Sequence, residues 1–268
     1  MSSVAKTMPM SRHGGPLDRC CPELVEGHTA RMCRAALVAG LGLLVMALLA
    51  GVANFAVLER LVVEGDAAGT TSAILDALGI FRLAIVALFA VAVLDLVVAW
   101  ALWIFFDWVQ HVVAVIAAAC RALYALIFAI AISHLASAAQ LLSGQPVNSS
   151  VELEVLAEIQ QFDDIWRVSL GLFGLHLLLI GWLAFSSMVP AVVGVLVAIA
   201  GLGYLIDSLA SLLSAEYTVE LASVTFIGEV VLMISLLVFA FRGKPRGRPD
   251  HRLTAPTTIR NSGPGSRS

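Results

Sequence analysis

Charge is scarce in this chain: Asp, Glu, Lys and Arg make up 13% of 268 residues, about half the share a soluble domain carries. Cysteine is scarcer still. The four present are Cys20 and Cys21 side by side near the start, Cys33 ahead of the first apolar run and Cys120 inside the third. That arrangement excludes a disulfide framework, a C-x-x-C pair and any Cys/His zinc spacing. H-E-x-x-H, G-x-S-x-G, the P-loop and G-x-G-x-x-G are all missing, and Gly201-Leu-Gly lacks both a third glycine and a preceding strand. These absences remove the motif-bearing hydrolases, zinc peptidases and nucleotide-binding enzymes, so no cofactor and no metal are expected. The basic tail has no interleaved aromatics, so nucleic acid is not an expected partner.

What the chain has instead is apolar length. Hydrophobic residues reach 60% and the mean hydropathy is +0.94. A helix needs about 20 apolar residues to cross about 30 Å of hydrocarbon. Six stretches approach that length: Ala35–Leu58, Phe81–Phe106, Val112–Gln140, Ile165–Phe185, Ala191–Leu213 and Phe226–Phe241. The last is short and is expected to begin nearer Ala222. The connections are brief and leave no room for a soluble catalytic domain. Three divisions follow: a disordered segment over 1–31, a transmembrane domain over 32–243 and a disordered basic tail over 244–268. Met32 stands immediately before the first run, and the natural start is expected there.

The sign of the charge alternates along the chain. Eleven of the nineteen acids lie in three connections: Glu59, Glu64, Asp66 and Asp76; then Glu152, Glu154, Glu158, Asp163 and Asp164; then Glu216 and Glu220. Basic residues gather before the first run (Arg31, Arg34) and after the last (Arg242, Lys244, Arg246, Arg248, Arg252). Positive flanks stay cytoplasmic, which puts both termini inside and the acidic connections outside. In the first of these, a Gly-rich turn followed by Thr71 or Ser72 reads as the N-cap of a short interfacial helix. In the second, helical periodicity resumes from Ser150 and leads into the fourth run.

The ionisable residues within or at the edges of the runs include Arg82, Asp95, Arg121, Arg167, His176, Asp207 and Glu229. An intramembrane charge is costly unless it is paired or faces water. At about 1.5 Å of rise per residue, Asp95 and Arg121 fall within a turn of one level in the inner half and are expected to pair. Arg82, Arg167, Asp207 and Glu229 fall within about 6 Å of the outer edge and are expected to form one polar cluster. His176 lies near midway, where an imidazole is a candidate proton relay, and Tyr204, three residues before Asp207, shares its face. The competing reading for each is structural: a buried pair sets helix register, edge charges snorkel and a buried His satisfies the packing. Gly194, Gly201 and Ser208 recur every seven residues and mark a smooth face for a neighbouring helix. The Trp residues read as interfacial anchors.

Five strings together resemble a bacterial multi-pass membrane family catalogued as domain of unknown function 4386. They are Glu64-Gly-Asp-Ala-Ala leading to Phe81-Arg82-Leu, Arg121 within Ala-Cys-Arg-Ala-Leu, Leu172-Phe-Gly-Leu-His-Leu-Leu-Leu-Ile-Gly, Gly201-Leu-Gly-Tyr-Leu-Ile-Asp-Ser, and the closing Gly228-Glu229. The resemblance covers about residues 32–243 and implies a fold but no activity. It also implies a bacterial cytoplasmic (inner) membrane. The expectation is an all-α, polytopic bundle of six transmembrane helices with both termini cytoplasmic. Its partners are the lipid bilayer and, for a conduit, a small solute or ion; a homo-oligomer stays open. Two functions remain. The first is a small transporter or conduit with a polar intramembrane interior. The second is a non-catalytic module that binds a partner protein or lipid, its charges serving helix packing. An intramembrane enzyme ranks third, because no nucleophile with a positioned base is visible.

Overall fold

Proline and charge are nearly absent inside the apolar runs, so nothing interrupts helical hydrogen bonding there, and each run becomes part of one long helix. A computed structural model describes residues 22–63, 65–144, 146–213, 221 and 226–242. The expected tail over 244–268, most of the expected N-terminal disorder and the start near residue 222 lie outside them. Among the described residues all regular structure is helical. Helix α1 (Pro22–Gly51) begins ahead of Met32 and continues through a π-helical stretch, Val52–Leu58, into Glu59–Leu61. There follow α2 (Ala67–Asp76), α3 (Leu78–Phe106), α4 (His111–Gly144), α5 (Ser149–Phe185), α6 (Ala191–Leu213) and α7 (Ile227–Arg242).

Among the described residues, five helical stretches are long and apolar enough to cross a membrane: Thr29–Leu61 and all of α3, α4, α5 and α6. The 16 residues of α7 rise only about 24 Å. Helices α4 and α5, at 34 and 37 residues, rise about 51 and 55 Å and so extend past a hydrocarbon core.

Packing arranges the long helices in a ring. Each of α1, α3, α4, α5, α6 and α7 packs against the next in that order, and α7 returns to α1. Helix α2 leaves the end of α1 and packs on α5, which stands directly opposite α1 in the ring. It therefore crosses one mouth of the bundle, with Thr70, Thr71 and Ile74 buried beneath it. Asp66 caps α2, its carboxylate accepting from the Gly69 amide. This corrects the cap expected at Thr71 or Ser72: both lie within the helix, and the neighbouring Thr70 Oγ1 accepts from the Val63 amide and donates to the Val63 carbonyl. Asn148 caps α5 by accepting from the amides of Ser150 and Val151, and the helix runs unbroken from there to Phe185.

The closest seam joins α5 to α6. A Cβ built on Gly201 would stand 2.6 Å from the Gly174 carbonyl oxygen, and one on Gly194 would stand 2.7 Å from that of Gly181. The glycines are needed because the two backbones touch. Ser208 completes the stripe by donating to the Val168 carbonyl at 2.9 Å.

Candidate functional site

Among the described residues, the charged and imidazole side chains buried in the ring interior gather at one level. Asp95 on α3 and Arg121 on α4 are each 1% exposed, and their side chains form an ion pair at 2.7 Å between Oδ1 and Nη2. The two lie about 17 and 15 Å from the ends of their helices at the mouth opposite α2, so the rise along each run brings them level. His176 on α5 is fully buried beside them. Its Nε2 stands 3.3 Å from Arg121 Nη1, and its Nδ1 stands 2.8 Å from the Ala117 carbonyl oxygen on α4. A guanidinium only donates and a carbonyl only accepts. Nδ1 therefore carries the proton and Nε2 the lone pair, so the ring is neutral with both nitrogens engaged.

Apolar and aromatic groups complete the shell. The Arg121 guanidinium carbon lies 5.1 Å from the centroid of Phe173, a cation–π distance. Met46 Sδ of α1 lies 4.0 Å from Nη2. Among the described residues Arg121 Nε has no acceptor, and Asp95 Oδ1 faces Nη2 as an ion pair without an aligned hydrogen bond. Phe173 joins this layer to the next, its ring 5.0 Å from Tyr124 and 5.3 Å, edge-on, from Tyr204. Tyr124 accepts weakly from Trp166 Nε1 at 3.4 Å. Trp166 is thus a packing residue of the α4–α5 seam and not only an interfacial anchor.

The remaining charges toward the α2 end are dispersed. Tyr204 donates to Glu229 Oε1 at 2.7 Å, joining α6 to α7. Arg82 is exposed and donates to Ser143 Oγ at 2.5 Å, joining α3 to α4. Arg167 is exposed and lines a surface groove of about 300 Å³ together with Val62, Gln160, Asp163 and Asp164. Asp207 is partly buried on α6. Rather than meeting the arginines, Glu229 takes a hydroxyl, because rotation of α6 and α7 about their axes aims it at Tyr204. No group of three metal-ligating side chains gathers among the described residues.

Several members of this interior carry little signal in the sequence. Tyr124 stands three residues after Arg121 and Phe173 three before His176, so both share a helical face with a buried ionisable residue; that spacing is the signal that could have found them. The Ala117 carbonyl and Met46 have none. His134 Nδ1 and Glu158 Oε2, 2.7 Å apart, also join α4 to α5 beyond the apolar layer, within reach of the α2 end.

Residues 38–240 match the model of the family described as Domain of unknown function (DUF4386), and the chain belongs to that family. It is also similar to an uncharacterized protein of Archaeoglobus fulgidus, 30% identical over 155 residues that make up 58% of this chain and 82% of the relative. No solved structure matches the chain.

Proposed function

We propose that this family member is a six-span, multi-pass membrane module without catalytic activity. It sits in the cytoplasmic (inner) membrane of a bacterium with both termini inside and α2 outside, and it binds a partner protein or lipid. The orientation is supported by the basic residues that flank the first and last runs and by the acidic connections at the α2 end. A sixth span is supported by α7, which packs between α6 and α1 and completes the ring.

One observation carries the module reading: the polar side chains inside the spans are spent on joining helices. Asp95 and Arg121 tie α3 to α4, His176 ties α5 to α4 through both ring nitrogens, Ser208 ties α6 to α5, and Tyr204 and Glu229 tie α6 to α7. A histidine with one nitrogen donating to a helix carbonyl and the other accepting from a guanidinium has no free position for relaying a proton. In a bilayer such contacts replace the hydrophobic drive that holds helices together in water.

The transporter or conduit is the second reading. It is favoured by two polar groups inside one ring, Asp95/Arg121/His176 and Tyr204/Glu229, drawn from five helices, with Arg121 Nε left without an acceptor among the described residues. Purified protein in vesicles loaded with a pH-sensitive dye, and in vesicles tested by osmotic swelling with small neutral solutes, separates the two. The module gives no flux above empty vesicles. A protein-dependent flux that disappears in a folded Asp95→Leu/Arg121→Met variant overturns it.

A further inference from the structure

Helix packing accounts for the triad of Asp95, Arg121 and His176, whose charges cancel. For Glu229 it accounts for the bond to Tyr204 that joins α6 to α7, but not for the carboxylate's charge. This carboxylate lies in the first turn of α7, about 20 Å above the helix end at Arg242 and thus within the depth of a membrane. Its hydrogen-bond partner among the described residues is the Tyr204 hydroxyl, 2.7 Å away, and no described Lys, Arg or His forms an ion pair with it. The connection before it, residues 214–225, contains no Lys, Arg or His at all. Glu229 is held where it is by packing. A Cβ on the preceding Gly228 would collide with the Leu196 carbonyl oxygen of α6, so α7 starts with its backbone pressed against α6 and its third residue turned to Tyr204.

The described groups that surround this carboxyl offer no neutralising charge. Helix α1, packed along one side of α7, has no ionisable residue between Arg34 and Glu59. On the other side, α6 presents Tyr204 and, three residues on, the acid Asp207. Helix α3 reaches α7 through Phe105, whose ring is 5.1 Å from Phe239 near the far end. The fields of Arg121 and Asp95 reach Glu229 at longer range, opposite in sign and tied to each other. An isolated intramembrane carboxylate has two means of shedding its charge: take a proton or take a cation.

We propose that Glu229 is the protein's exchangeable proton site, a carboxyl that carries a proton in the membrane at neutral pH and is positioned by Tyr204. A proton needs no further ligands, whereas a metal cation requires a shell of oxygens that a single carboxylate and a hydroxyl do not supply. The site is a binding site, not a path: His176, the nearest imidazole layer, has both nitrogens engaged. It therefore stands apart from the choice between module and conduit.

Dicyclohexylcarbodiimide tests it on the intact protein in vesicles. The reagent partitions into the bilayer and reacts with protonated carboxyls. The acid proton moves to one nitrogen of the carbodiimide while a carboxyl oxygen bonds to its central carbon, and the adduct rearranges to an N-acylurea with no leaving group. Peptide mass spectrometry then reads each carboxyl separately. Glu229 should be modified at neutral pH several-fold more than Asp95, whose carboxylate is held against the Arg121 guanidinium at 2.7 Å. Its labelling should fall in alkaline buffer and stay unchanged when choline is replaced by sodium. Recovery of the Glu229 peptide without adduct overturns the proposal, as does equal labelling of Asp95. Protection by sodium overturns it in favour of a cation site. A Glu229→Gln variant should lose the adduct on that peptide; if it does not fold, fragment sequencing of the labelled wild-type peptide makes the same assignment. Failure here leaves the packing role of the other charges intact.

Discussion

Replacing Asp95 by Leu strands Arg121, and replacing Arg121 by Met strands Asp95, both at 1% exposure. Breaking a buried pair by removing one partner costs about 3–5 kcal/mol, because the survivor is left uncompensated. The two losses should not be equal. Asp95→Leu leaves Arg121 donating to His176 and stacked on Phe173, so it belongs at the lower end of that range. Arg121→Met removes the ion partner of Asp95 and the donor to His176 Nε2 together, and belongs at the upper end. In the double variant no charge remains, and Met follows the unbranched course of the arginine stem. What persists is His176 Nε2 without a donor, a cost of about 1–3 kcal/mol. The coupling between the sites should therefore exceed about 3 kcal/mol. Unfolding measured by steric trapping or by titration with a denaturing detergent in mixed micelles reads these differences directly. Adding His176→Phe to the double variant should recover part of what is left, since it removes the orphaned acceptor. Losses that add to within about 0.5 kcal/mol would show that the pair is not coupled and would remove the packing argument built on it.

Other contacts make separate claims. Gly201→Ala should destabilise by about 1–3 kcal/mol, since its Cβ would meet backbone of α5 at 2.6 Å, whereas Gly79→Ala meets nothing within 4 Å and should be neutral or stabilising; the same unfolding titration compares them. Asp66→Ala should cost about 0.5–2 kcal/mol by uncapping α2, seen as faster amide exchange over Ala67–Thr70. Reporter fusions after Gly144 should be active outside the cytoplasm and fusions after Lys244 inside it, and the reverse at either position would remove the proposed six-span, both-ends-inside topology.

Depth is legible in the amino-acid sequence, because rise along an uninterrupted apolar run converts residue number into height. That conversion brings Asp95 level with Arg121, and their short α3–α4 connection makes the two helices neighbours. The seven-residue repeat of Gly194, Gly201 and Ser208 is legible for a related reason: it marks one face, and a smooth face needs a partner. Its partners, Gly174 and Gly181 on α5, are themselves seven residues apart. The boundaries of α4 and α5 are less legible. Hydropathy falls before helicity ends, and the segment from Ser149 to Asp164 is helical because of its own cap and periodicity rather than its apolar content.

Azimuth is not legible, and it decides who pairs with whom. Arg82, Arg167, Asp207 and Glu229 share one level by rise, which on its own predicts that they gather. Yet level leaves each helix free to turn about its axis, and that rotation is set by where small residues allow backbones to meet. Gly228 against Leu196 turns Glu229 toward Tyr204. Arg82 finds Ser143 on the helix that follows it, and Arg167 faces a surface groove. The same consideration separates the two acids that matter most. Asp95 meets a cation because α3 and α4 are tied by a short connection and their interior faces carry complementary charges at one height. Among the described residues Glu229 meets a hydroxyl, because neither helix beside α7 carries a cation at its level. One acid is thereby committed to holding the bundle together, while the other keeps a carboxyl whose charge the bundle does not neutralise.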